Sequence, residues 1–148
     1  MSLFTKLKNA LPPKTPETVP TTSFDRELFI YVKIPESIMP IDRGTKYEDP
    51  LDDRLAEAKL GAVSGGGSQL GEVMPNGQRL VTACGIDINV KNLPEALALL
   101  HIELPKLAAP VGTELHYTQH GTRLQDEYLS DGWLLRQPRT FLHPGFGC

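Results

Sequence analysis

Residues 28–34, Leu-Phe-Ile-Tyr-Val-Lys-Ile, and residues 80–90, Leu-Val-Thr-Ala-Cys-Gly-Ile-Asp-Ile-Asn-Val, decide the fold class. Every second residue is apolar throughout the first segment and from Cys84 to Val90 in the second, and this period of two is typical of a strand with one buried face. The side chains expected to face the core are Leu28, Ile30, Val32, Ile34, Cys84, Ile86, Ile88 and Val90.

Two helices are expected to separate the strands. Asp49 is suited to cap the first helix, because a carboxylate accepts hydrogen bonds from the free backbone N–H groups there, and Gly61 is placed to end it. Asn92 and Glu95 form a capping box for the second helix. Pro105 should bend or end that helix, because proline has no backbone N–H to donate.

Further extended segments complete the pattern. They are residues 62–72, which include three consecutive glycines, residues 114–118, and residues 128–137, which form a C-terminal hairpin. The order strand, helix, strand, strand, helix, strand predicts a split βαβ, or ferredoxin-like, α+β fold (βαββαβ). In that fold two helices cover one face of an antiparallel sheet.

The length and composition indicate one globular domain. A chain of 148 residues with 40% hydrophobic and 22% charged residues is in the ordinary globular range. Residues 1–23 are a proline-rich tail, and residues 24–148 form the domain. No segment has the length of a membrane span or the pattern of a secretory signal, so we expect a cytoplasmic protein without a transmembrane segment.

The net charge and the positions of the cysteines and histidines limit the kinds of partner, metal and cofactor that we expect. A net charge of −3 gives no general attraction to nucleic acid. In a reducing compartment a disulfide between Cys84 and Cys148 is disfavoured. His116 and His120 are spaced as metal ligands only on a helix, but they straddle the end of a predicted strand. We therefore expect neither a metal nor a cofactor.

The sheet face opposite the helices is the first candidate site. We expect this face to be open and to carry Phe29, Tyr31, Lys33, Asp87 and Asn89, and aromatic rings beside polar groups are typical of a contact surface. An RNA-binding sheet would need aromatic side chains on the third strand too, where Asp87 and Asn89 lie instead. This site therefore predicts another protein as the partner.

The glycine-rich strand and the loop before the first helix form an alternative site. Glycines let backbone amides approach a ligand closely, although neither a lysine nor a following helix completes a phosphate loop. A bulged or edge strand would explain the same glycines. The residues of this alternative are Asp42, Arg43, Tyr47, Gly65, Gly66, Gly67, Ser68 and Gln69.

Three short motifs carry a family resemblance. Asp42 to Gly44, Tyr47 to Asp52 and Gly65 to Gln69 resemble segments of small, mostly uncharacterised bacterial ferredoxin-like proteins, over residues 29–121. No catalytic residues come with the resemblance. Some such domains are similar to immunity proteins that neutralise antibacterial toxins, so the resemblance implies a protein partner.

The leading hypothesis is a non-catalytic protein-binding module, in its most specific form an immunity protein that occupies the active site of a toxin. A first alternative is a small-molecule sensor or small enzyme that uses the glycine strand, residues 65–67, and the loop of residues 42–47 as a pocket, at the interface of a homodimer. A second is an adaptor whose proline-rich tail recruits another chain. No complete set of catalytic residues occurs, which favours a non-enzyme without deciding the question.

Overall fold

The structure is a computed structural model that describes residues 25–146. In chain order the elements are β1 (Phe29–Ile34), α1 (Pro40–Arg43), α2 (Asp49–Glu57), β2 (Gly61–Val73), β3 (Arg79–Val90), α3 (Leu93–Lys106), β4 (Glu114–Gln119), β5 (Thr122–Leu129) and β6 (Gly132–Pro138). Short 3-10 turns precede β1 and follow β6. The predicted tail at residues 1–23, and Cys148, lie outside the described residues.

All six strands belong to one antiparallel sheet with the order β2-β3-β1-β4-β5-β6. This sheet and its helices confirm the α+β class. The predicted hairpin at residues 128–137 is longer than expected, because β5 begins at Thr122 and also pairs with β4. The turn between β4 and β5 uses His120 and Gly121, both in the left-handed region, with φ of 52° and 77°.

The helices pack on one face of the sheet, where the apolar residues of the two deciding strands are buried. The prediction is confirmed for seven of the eight side chains, because all except Leu28 lie in the core. Leu28 is 37% exposed, since it belongs to the 3-10 turn Arg26–Leu28 before β1 and does not follow the alternation of the strand.

The first helical segment begins earlier than predicted, so the expectation that Asp49 caps it is wrong. α1 continues through a π-helical turn, Gly44–Glu48, into α2, and Asp49 has helical angles of φ −64° and ψ −50°. The Asp49 N–H donates to the Gly44 carbonyl, one residue further back than in an α-helix. Pro50, which has no N–H to donate, follows this wider turn inside the helix.

Pro105 does not end the second helix, which continues to Lys106. A proline in a helix leaves the carbonyl of the fourth preceding residue without its usual donor, and here that residue is His101. The indole Nε1 of Trp133 donates to the His101 carbonyl at 3.0 Å, so a neighbouring strand satisfies the freed group. The predicted cap is confirmed, because the Asn92 side chain accepts the Glu95 N–H at 3.0 Å.

Residues 139–146, which we call the C-terminal strap, cross the sheet face opposite the helices. Arg139 anchors the strap through hydrogen bonds to the Tyr117 carbonyl and to Thr118 Oγ1. The Phe146 ring packs edge-on against Phe29 with 5.0 Å between ring centroids, and Phe29 is only 3% exposed. The expectation that this face is open is therefore wrong, because the chain's own aromatic residues cover the apolar ring of Phe29.

Within residues 25–146, none of the helices combines the length and the apolar character that a membrane span requires.

Candidate functional site

A cleft of about 400 Å³ lies on the strap side of the sheet, between the edge strand β2 and the C-terminal strap. We call it the strap cleft. Its volume is in the range of small-molecule binding sites. The cleft is lined by Tyr31, Gly66, Gly67, Ser68, Gln69, Asp87, Phe141 and His143. It therefore brings together members of both sets of site residues that the sequence predicted.

Three rings form one wall of the strap cleft. Tyr31 on β1 stacks with Phe141 at 5.7 Å between ring centroids and with an angle of 21° between planes, and His143 lies 4.4 Å from Tyr31. Tyr31 can lie over the sheet because Gly85 has no side chain: a Cβ there would stand 2.3 Å from the Tyr31 hydroxyl oxygen. Burial and the nearby Asp87 raise the pKa of Tyr31, so the phenol stays protonated at neutral pH.

Asp87 and His143 join the sheet to the strap inside the cleft. His143 Nε2 lies 3.2 Å from Asp87 Oδ1, and His143 Nδ1 accepts the Gly145 N–H at 2.8 Å. A nitrogen that accepts a hydrogen bond carries no proton, so the ring N–H is on Nε2, the nitrogen nearer to Asp87. Asp87 is half-buried and has further lone pairs with which to accept a hydrogen bond from a ligand.

The glycine strand, which forms the opposite wall, rests on an ion pair from the helical segment. Arg43 and Glu48 pair beneath Gly66, and Arg43 Nη1 also lies 3.5 Å from Ser68 Oγ. A Cβ at Gly66 would stand 2.7 Å from Glu48 Oε2 and 2.9 Å from the Gly85 carbonyl oxygen. The three motifs of the resemblance therefore meet at this contact, where they hold the edge strand in place.

The predicted alternative pocket is not assembled as expected. Arg43 and Tyr47 are buried on the helix side of the sheet, and Asp42 is exposed on α1. The Tyr47 hydroxyl donates to Glu36, and burial together with Glu36 raises the pKa of Tyr47 to about 12. Arg43 contacts the glycine strand from the helix side at Ser68, but neither the three loop residues nor Gly65 are among the residues that line the strap cleft.

Only part of the predicted protein-contact face lines the cleft. Tyr31 and Asp87 are in it, whereas Phe29 is covered by the strap and Asn89 is exposed on β3 at the position opposite Phe29. Lys33 lies beside the cleft, with Nζ 5.9 Å from the centroid of the Phe141 ring. Lys33 can thus contribute positive charge near the rings without lining the cleft.

The sequence reasoning missed Phe141 and His143. Both residues follow Pro138, in a segment that has neither helical nor strand periodicity. Periodicity therefore predicts no helix or strand in this segment. The available signal was composition, because Phe141, His143 and Phe146 place three rings in a short segment that an aromatic sheet face could receive.

Among residues 25–146 there is no group of three or more histidine, cysteine, aspartate or glutamate side chains arranged to hold a metal ion. The Asp87–His143 pair offers two such groups only. Cys84 is buried and free, and burial raises the pKa of its thiol to about 11, which leaves little thiolate for nucleophilic chemistry at neutral pH.

No protein-family model, curated protein or solved structure matches the chain.

Proposed function

We propose that the chain is a non-catalytic binding protein that holds a small planar ligand in the strap cleft. One observation carries the proposal: an aromatic wall and a carboxylate, Asp87, line the same cleft of about 400 Å³. A planar ring gains by contact with aromatic side chains, and a carboxylate selects a ring with an N–H donor on its edge. The ligand class is a nitrogen heterocycle, either neutral or positively charged.

The two walls of the strap cleft offer different contacts to a ligand. Phe141 is 42% exposed, so its ring can be covered further by a ligand. Gln69 lies across the cleft from the rings and has an amide group, while Ser68 also lines the cleft but has its hydroxyl 3.5 Å from Arg43 Nη1. Gly66 and Gly67 also line the cleft, and because they have no side chains a ligand can approach the backbone of β2 closely.

A thermal-shift screen followed by calorimetry tests this function, with adenine, nicotinamide and indole as probes. A ligand present at 100 times its dissociation constant adds about 2.7 kcal/mol to the free energy of unfolding. We expect binding that Phe141→Ala abolishes and that Leu142→Ala leaves unchanged, because Leu142 is also exposed on the strap but does not line the cleft. Equal responses of both variants, or no binding of any probe, would reject the proposal.

We also infer that the first four strands adopt the ferredoxin-like split βαβ arrangement that the sequence predicts, with β5 and β6 added beside β4. The strand order β2-β3-β1-β4 and the antiparallel pairing throughout support this. The motif resemblance to small bacterial ferredoxin-like proteins supports the same proposal. The free thiol of Cys84 is compatible with the cytoplasmic location that we expect.

A second candidate function is the protein-binding module that the sequence favours, with an immunity protein as its specific form. The observation in its favour is the hairpin arm, residues 69–83, which extends past the last β1–β3 pair at Ile34 and Cys84. The arm exposes large apolar side chains at Leu70, Val73, Met74 and Leu80. Exposed apolar groups that cluster in one place are typical of a protein interface.

Purification of the tagged protein from its native cells tests this second function. A specific complex would bury about 1,600 Å² in total, with a few anchor residues providing most of the affinity. We expect a stoichiometric partner that the double variant Val73→Ser, Leu80→Ser loses and that Val111→Ser, an exposed apolar position outside the arm, retains. A toxin is the partner if the protein is an immunity protein, and a second copy of the chain would appear as a homodimer. Absence of a stoichiometric partner would reject this function.

A further inference from the structure

We propose that a second cleft, at the turn between β4 and β5, binds a small organic anion through phosphate or carboxylate groups. The cleft has a volume of about 420 Å³ and is separate from the strap cleft. We call it the arginine cleft. Its lining residues are Arg26, Thr118, Gly121, Thr122, Arg123, Arg139 and Phe146.

The charge of this cleft is opposite in sign to that of the chain. Three of the seven arginines of a chain with net charge −3 line it, and no aspartate or glutamate is among its lining residues. Guanidinium groups gathered in one concave site repel each other, and a bound anion relieves that repulsion. The planar fork of arginine also matches the geometry of phosphate and carboxylate oxygens.

Arg139 forms the fixed wall of the cleft. Its side chain is buried, and it donates to Thr118 Oγ1 at 2.9 Å and to the Phe141 carbonyl at 2.8 Å. The guanidinium carbon lies 4.0 Å from the centroid of the Phe146 ring. Arg139 also donates to the carbonyls of Leu124 and Tyr117, each at 3.3 Å, so most of its N–H groups are engaged within the protein and it contributes fixed positive charge to the cleft.

Arg26 and Arg123 form the open side of the cleft. Both are exposed, and within residues 25–146 neither makes an ion pair with a carboxylate. Glu27, next to Arg26 in the sequence, accepts hydrogen bonds from the backbone N–H groups of His120 and Gly121, each at 3.0 Å. Glu27 thereby ties the β4–β5 turn, which directly precedes Arg123, to the turn before β1, which contains Arg26.

Ligand size follows from the volume of the cleft. A site of about 420 Å³ is larger than one phosphate or carboxylate group needs, so we expect either two such groups or one group attached to an organic body. The hydroxyl groups of Thr118 and Thr122 supply uncharged donors for the oxygens. Pyrophosphate and citrate are therefore the probes for the two chemical sources of negative charge.

Isothermal titration calorimetry at low and matched ionic strength tests the proposal with both probes. We expect binding of at least one probe, weakened about tenfold by Arg123→Gln and by Arg26→Gln because each removes a charge-assisted contact. Lys91→Gln, which removes the same charge at another exposed position, should leave the affinity within about twofold. Amide spectra of each variant establish that it is folded.

The probe that binds identifies which anionic group the arginine cleft recognises. Binding of pyrophosphate alone assigns the cleft to phosphate, binding of citrate alone assigns it to carboxylate, and binding of both supports a general anion site. If neither probe binds, or if Lys91→Gln weakens binding as much as the arginine variants do, the arginine cleft is not a site. Neither result bears on the strap cleft, because Arg26 and Arg123 do not line it.

Discussion

A Cβ atom at Gly66 would stand 2.7 Å from the Glu48 carboxylate, so the glycine strand and the helical segment touch at a point that admits no side chain. The Arg43–Glu48 pair lies against the backbone of β2 on one side, and the strap cleft opens on the other. The contact between Gly66 and Glu48 therefore positions one wall of the proposed ligand site.

Replacement of Gly66 by alanine should destabilise the protein, while the same change at Gly67 should not. At Gly66 the new methyl group meets the Gly85 carbonyl oxygen at 2.9 Å as well as Glu48, and backbone cannot move aside as a flexible side chain can. Overpacking of this kind costs about 1–3 kcal/mol. At Gly67 nothing lies within 4 Å of the added atom. Urea unfolding measures both, and equal stabilities of the two variants would contradict the proposed contact.

Trp133 and Pro105 should be energetically coupled through the His101 carbonyl. Trp133→Phe removes the indole N–H that satisfies this carbonyl, and we expect a loss of about 1 kcal/mol. In a Pro105→Ala background the new backbone N–H can donate to the same carbonyl, so Trp133→Phe should cost less. A double-mutant cycle of unfolding free energies measures the coupling. If Trp133→Phe cost the same in both backgrounds, the indole would not replace the missing donor.

Asp126 should make stability fall at acidic pH. Burial alone would raise its pKa, but hydrogen bonds from His101, the Arg136 N–H and the Tyr117 hydroxyl outweigh burial and lower it below 3.8. A carboxylate with a lowered folded-state pKa stabilises the fold above about pH 4, and this contribution is lost as the pH falls through the folded value. Urea unfolding between pH 2.5 and pH 6 measures the loss. Asp126→Asn should flatten this dependence, whereas the exposed Asp131→Asn should retain it.

His116 should produce a separate loss of stability at a higher pH. The ring is buried, and burial lowers its pKa below 6.5 despite the Glu114 carboxylate 2.7 Å from Nε2. The unfolded chain therefore binds the proton more readily than the folded chain, so stability decreases as the pH falls from about 6.5 toward the folded value. His116→Leu should remove this step, and His120→Leu, an exposed position, should keep it. Unfolding free energies that do not change between pH 7 and pH 5 would contradict the assignment.

The sequence predicted the parts of the fold that local patterns determine. Ile30 and Ile86 follow the period-two alternation, and Asn92 caps α3 as its residue type indicates. The prediction that Asp49 caps the first helix was wrong because a residue's suitability as a cap does not show whether the chain before it is already helical. Here a π-helical turn precedes Asp49 and Pro50. The helix continues one residue past Pro105, to Lys106, and the donor that replaces the missing N–H, Trp133, belongs to another element and so has no local sequence signal.

The candidate site could be predicted only in part. Tyr31 and Asp87 were predicted because the alternation of β1 and β3 places them on the same face of the sheet, and the glycine strand was predicted from its composition. The cleft itself is formed when the strap returns across the sheet, and no local pattern in residues 139–146 specifies that long-range contact. The same contact buries Phe29, which the alternation alone placed on an exposed surface.

The central claim is that the strap cleft binds a planar nitrogen heterocycle, and amide chemical-shift mapping with adenine, nicotinamide and indole tests it most directly. At saturation by a ligand of millimolar affinity, about 10 mM probe, we expect the largest shifts at the amides of residues 66–69, Asp87 and His143. Phe141→Ala should abolish these shifts, and Leu142→Ala should preserve them. Absence of shifts at these amides with all three probes, or shifts confined to other parts of the protein, would contradict the account.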